Sequence, residues 1–179
     1  APALGVAIRM TFVGAGTADL VAEEPLPGRH NYFLGNDASK WRSDVPLYSA
    51  VRYREVHPGV DVRAREQDGH FEYDLLLQPG ADLDPIEIGV EGIERMHLDH
   101  EGTLVMETRL GPVRMPAPLT WEVGPSGEKS RVACRYVLRG ENRFGFVVPE
   151  RQPGWALVVD PGLVWSTFLG GSGGDGAIA

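Results

Sequence analysis

His70, Glu72 and Asp74 stand at alternate positions of one short stretch. On an extended strand this spacing puts all three side chains on one face, as a metal site or an acid/base pair would require. The same stretch supplies a competing set of partners. With Asp68-Gly69 as a two-residue turn, Gln67 faces His70, Arg65 faces Glu72 and Arg63 faces Asp74. Guanidinium groups then neutralise the charges that a cation would need. Ion pairing is therefore preferred over metal binding, and a hydrolase using His70, Glu72 and Asp74 ranks third among the functions considered.

Other constellations are weaker. His97, Asp99 and His100 lie at a hairpin tip, where alternation sends neighbours to opposite faces. Gly14-Ala-Gly16-Thr-Ala-Asp19 looks at first like a dinucleotide loop. It places Asp19 where a third small residue belongs and meets Pro25 and Pro27 before a helix could present its N-terminus to a pyrophosphate. Arg131, Arg135 and Arg139 would share the outer face of one strand with Arg143 opposite Arg139, a possible contact for an anionic glycan or a partner carboxylate. The single cysteine, Cys134, would lie on an apolar face, where a thiol is inert. The tail from Gly170 to Ile178 fits a calcium-binding nonapeptide except at Ala177. Calcium is the one cofactor left open, and otherwise none is expected.

The elements that must hold these residues are strands. Stretches rich in Val, Ile, Phe and Tyr recur at a spacing of about ten between turn residues, the pattern of sandwiches and barrels. Val6, Ile8, Met10 and Phe12 alternate with Ala7, Arg9 and Thr11, which predicts a half-buried strand over Val6 to Val13. The hairpin around residue 68 aligns Val60, Val62 and Ala64 with Leu77, Leu75 and Tyr73. A one-residue slip would spoil both the apolar and the charged face. A loop at His100-Glu101-Gly102 puts Leu98 opposite Leu104, Met96 opposite Met106 and Arg95 opposite Glu107, with Gly102 left-handed. A loop at Gly140-Glu141-Asn142, ending in a residue tolerant of positive φ, puts Leu138 opposite Phe144, Tyr136 opposite Phe146 and Cys134 opposite Val148. One helical turn is expected, over Asp37 to Arg42, capped by Asp37.

Composition agrees with a packed β domain. The 179 residues include 23 Gly and 14 Pro, yet 42% are hydrophobic and only 23% charged, a globular balance. No apolar run is long enough to span a membrane as a helix. A net charge of -8 disfavours nucleic acid and anionic membranes as partners. The lone cysteine excludes an intrachain disulfide.

Several ordered phrases remain: Asn31-Tyr-Phe-Leu-Gly-Asn36 followed by Trp41, Val51-Arg-Tyr-Arg-Glu-Val-His-Pro-Gly-Val-Asp61, and Glu72-Tyr-Asp74 followed by Pro79-Gly-Ala-Asp82. Val159-Asp160-Pro161 and Trp165-Ser-Thr-Phe-Leu-Gly-Gly171 complete the set. Together they resemble the domain that precedes the β-propeller in bacterial SBBP-repeat proteins, the last phrase being similar to the opening of the first repeat. The residues themselves read as architecture: Pro58-Gly59 and Pro79-Gly80 as tight turns, Trp41 as a packed anchor, Asp160-Pro161 as a strand end.

The resemblance implies an all-β domain over residues 1–161, an antiparallel sandwich of hairpins, and the start of a propeller blade over residues 162–179. It implies an exported or cell-surface protein, extracytoplasmic and non-catalytic, that supports or docks the propeller in adhesion or assembly. The partner would be the rest of the parent chain, including further N-terminal strands whose absence would leave a sheet edge open, or another surface protein. The second-ranked function is a carbohydrate-binding module using Trp41, Tyr48 or Trp121 as a stacking platform.

Overall fold

The computed structural model describes residues 5–67 and 70–162. They form fourteen strands and one 3-10 turn, Ala38–Lys40. In that turn Asp37 accepts from the Ser39 amide, so the expected cap is present.

Three antiparallel sheets result. β1 (Arg9–Phe12), β6 (Glu87–Glu91), β13 (Arg143–Val147) and β12 (Arg135–Leu138) make a four-stranded sheet in the order β1-β6-β13-β12. The largest sheet runs β11 (Lys129–Arg131), β10 (Leu119–Val123), β14 (Ala156–Asp160), β5 (His70–Leu77), β4 (Val60–Gln67), β3 (Arg42–His57), β2 (Asp19–Tyr32). The third contains β7 (Arg95–Leu98), β8 (Leu104–Thr108) and β9 (Gly111–Met115). No sheet closes on itself. The fold is all-β and sandwich-like. The expected start of a propeller blade and the nonapeptide-like tail lie outside the described residues.

The three hairpins adopt the registers that their apolar faces demand. In β4–β5, Val60 pairs with Leu77, Val62 with Leu75, Ala64 with Tyr73, Arg63 with Asp74 and Arg65 with Glu72; the turn at Asp68-Gly69 lies outside the described residues. In β7–β8, Leu98 pairs with Leu104, Met96 with Met106 and Arg95 with Glu107, and Gly102 has φ of 80°. In β12–β13, Leu138 pairs with Phe144 and Tyr136 with Phe146. Here the left-handed residue differs from expectation. Gly140, not Asn142, takes the positive φ, 118°, because a residue without Cβ enters that region at no steric cost.

One core joins the sheets. Ile88, Val90, Tyr136, Phe144 and Phe146 from the four-stranded sheet meet Val60, Val62, Leu75, Leu77, Leu157 and Val159 from the large one, and Met96, Leu104, Met106 and Met115 extend the cluster. Tyr136, Phe144 and Phe146 form a triangle with centroids 5.6 to 5.8 Å apart. Phe12 meets Tyr73 edge-on at 6.2 Å, and the Tyr136 hydroxyl donates to the Pro161 carbonyl at 2.9 Å. Each such large apolar side chain contributes about 1.5–3 kcal/mol on burial.

Candidate functional site

The chemistry first considered at Glu72 and Asp74 resolves into an ion-pair network on the outer face of the large sheet. Arg65 binds Glu72 at 2.8 Å, lies in contact with Asp74 and approaches Asp160 at 3.6 Å. Arg63 reaches Asp74 only at 3.8 Å and turns mainly to Glu23, at 3.0 Å, and to Glu24. Both expected pairs are therefore present, Arg65–Glu72 closely and Arg63–Asp74 loosely, and a diagonal contact from Arg65 to Asp74 is added. Arg52 ties in Glu23 at 2.7 Å and Asp61 at 3.5 Å. The hydrogen bond from Arg52 holds the Glu23 carboxyl below its ordinary value, against opposing burial. Asp160 is pushed up by burial and by the neighbouring Asp74 charge, with the Gly162 amide acting in the opposite sense. Among the described residues, no group of three or more His, Cys, Asp or Glu is placed to hold a metal.

The opposite face of the same sheet shows what sequence reading missed. One cross-strand row runs Leu20, Tyr53, Val62, Leu75, Val159. Exposure along it falls from 61% and 40% to 5%, 0% and 0%. An apolar face therefore continues past the end of the sandwich, uncovered over β2 and β3. The neighbouring row repeats the trend: Ala22 is exposed, Val51 and Ala64 are half-buried, and Tyr73 is buried.

Beyond Ala50, the last β3 residue paired with β4 at that end, the two strands run on with only each other. The ribbon carries Leu26 and Tyr48 exposed, and its tip shows Tyr32, Phe33, Leu34 and Trp41. Trp41 is not the packed anchor expected. It touches Phe33 at 5.4 Å and donates to the Gly35 carbonyl at 3.2 Å, because no second layer reaches the tip.

Backbone strain collects on the same two strands. Glu24, Asp44 and Glu55 are the non-glycine residues with positive φ among the described residues, and all three lie on β2 or β3. Asp61 accepts from the Glu55 amide and Asn31 from the Asp44 amide, each at 2.8 Å. Such conformations persist where surroundings hold them, and they gather at active sites, ligand clamps and switch regions. β2 forms a sheet edge, and Pro25 and Pro27 remove amide donors at its middle. The prolines disfavour strand addition there, and the apolar face beside them offers a surface for contact.

The arginine cluster is split by the fold. Arg131 ends β11 in the large sheet, whereas Arg135 begins β12 in the four-stranded one. The expectation of one shared strand is corrected: the chain changes sheets between them, with the Val132 amide bound to Thr120 at 3.1 Å. Arg131 instead pairs with Trp121, which is half-buried. Arg135, Arg139 and Arg143 stay together and exposed. At the β7–β8 tip, Asp99 accepts from the Glu101 and Thr103 amides and pairs with Arg114 at 3.2 Å; turn capping occupies that carboxylate. Cys134 is buried, and burial pushes its thiol up. The segment after Gly14 enters β2 at Asp19, with no helix to present to a phosphate.

Fold and surface together define an all-β module with one filled core and one uncovered apolar sheet face. The chain belongs to the family described as a domain of unknown function, DUF7948, which matches residues 3–162. No curated protein and no solved structure matches it.

Proposed function

We propose that this chain is a non-catalytic docking module of an extracytoplasmic protein, and that the uncovered face of β2–β3 seats the β-structured domain that follows it in the parent polypeptide. The observation that carries this reading is the row from Val159 to Leu20, where one apolar face loses its cover. Two-stranded ribbons are marginal in water on their own, so a long overhang with apolar side chains on display calls for a second surface. The following domain is the favoured occupant because β14 runs in the same direction as β2, so β14 ends on the side of the sheet where the ribbon projects. The similarity of Trp165-Ser-Thr-Phe-Leu-Gly-Gly171 to an SBBP repeat makes a propeller the expected neighbour. Engagement of Glu72 and Asp74 by Arg65 favours the non-catalytic reading over the hydrolase.

Hydrogen exchange on the complete parent protein tests this. Amides of residues 19–32 and 42–57 should be protected in the intact polypeptide. Leu20→Asp with Tyr53→Asp should release that protection while leaving β4–β5 unchanged. A ribbon that exchanges equally fast in the intact protein and in the double variant overturns the proposal.

A further inference from the structure

The outer face of the four-stranded sheet carries a second feature, separate from the ribbon. Leu138, Phe144, Ile88 and Phe12 form a cross-strand row on the core side. The next row, Arg139, Arg143, Gly89 and Thr11, faces outward. Two arginines thus lie opposite each other across the end of the β12–β13 pair, an arrangement that like charges disfavour. Arg143 approaches Glu87 at 3.6 Å. Arg139 has no ion-pair partner among the described residues.

Gly89 and Gly145 bring no side chain of their own to the centre of this face, where Arg139 and Val137 lie close over Gly145 and Val13 over Gly89. A Cβ at Gly145 would come within 3.7 Å of Arg139 Nε and 2.9 Å of the Ile86 carbonyl. Gly89 also lines an open cleft of about 520 Å³ whose walls include Thr11, Glu91, Arg139, Glu141 and Arg143, a size ordinary for small-ligand sites.

We infer that this cleft binds a carboxylate-bearing saccharide, a uronic acid residue within a polysaccharide. The guanidinium of Arg139 offers a planar fork for one carboxylate. Glu91 and Glu141 accept hydrogen bonds from ring hydroxyls, and Thr11 can donate or accept. The two acids also discriminate. They repel dense polyanions and gain nothing from simple anions that lack hydroxyl donors, so the walls fit a ligand with one negative charge per ring among several hydroxyls.

Calorimetric titration with oligogalacturonates and oligoalginates tests the site, with cello-oligosaccharides and acetate as comparison probes. Saturable uronate binding that weakens with salt is expected, and acetate and the neutral sugars should bind far more weakly. Arg139→Ala and Arg143→Ala, both at exposed positions, should each weaken uronate binding about tenfold. Arg131→Ala, in the other sheet, should leave it unchanged. The proposal is overturned if no uronate binds at millimolar concentration, if neutral sugars bind equally well, or if Arg139→Ala has no effect. The ribbon variants Leu20→Asp and Tyr53→Asp leave this surface intact, so the two proposals fail independently.

Discussion

Glu23 and Asp160 sit at two ends of one ion-pair network and respond to pH in opposite senses. Glu23 is held below its ordinary value of 4.5, first by the hydrogen bond from Arg52. Its folded-state pKa is lowered, so its contribution to stability is present above the unfolded value and is lost as pH falls through the folded one. Asp160 is raised above 3.8 by burial and by Asp74. Its charge opposes folding at neutral pH, and the opposition is relieved as pH falls through the folded pKa. Glu23→Gln should therefore lower the thermal midpoint at pH 7, and Asp160→Asn should raise it while keeping an acceptor for the Gly162 amide. Both differences from the unsubstituted chain should shrink as pH falls toward 3, measured by thermal melts across that range. A difference that grows on acidification would contradict the assignment.

Among the elements, the turns divide by what surrounds them. Gly59 and Gly80 both follow proline and both have positive φ, 71° and 82°. A Cβ at Gly59 would lie 2.9 Å from Ala81 Cβ, whereas at Gly80 nothing lies within 4 Å. Gly80→Ala should cost about 1 kcal/mol, the backbone penalty alone. Gly59→Ala should cost about 1–3 kcal/mol because the β3–β4 turn must also move away from Ala81. Urea midpoints of the two variants check the order. Pro58-Gly59 and Pro79-Gly80 are alike as dipeptides, and their difference is set by contact with a segment some twenty residues distant.

At the scale of the whole molecule, the filled core and the bare ribbon should answer differently to the same kind of substitution. Phe144 is fully buried among Tyr136 and Phe146, and Phe144→Ala should cost about 3–5 kcal/mol. Leu20 belongs to the same apolar side of the large sheet but is 61% exposed. Leu20→Ala should change the stability of this chain by no more than about 0.5 kcal/mol. Equilibrium denaturation of both variants decides the matter, and a loss above about 2 kcal/mol at Leu20 would mean that the chain covers its own ribbon. The expected small effect at Leu20 would mean that the exposed part of the β2–β3 ribbon contributes little to holding the domain together, unlike Val56 of β3, which lies in the core.

The hairpins were legible because strand registry follows from local alternation. Val60, Val62 and Ala64 could face Leu77, Leu75 and Tyr73 in one way only if Arg63 and Arg65 were to meet acids on the other side. The lone cysteine and the shortage of helix signals were equally plain in the residue order. What could not be read there is which rows are covered. Leu20 and Val159 have the same apolar character, and only the extent of the opposing sheets leaves one in water and buries the other. The same holds for the arginines, since nothing local marks Val132 to Cys134 as the place where the chain changes sheets. Alternation is a property of a few neighbouring residues, whereas cover and sheet membership depend on segments far apart in sequence, so they are decided only when the layers assemble.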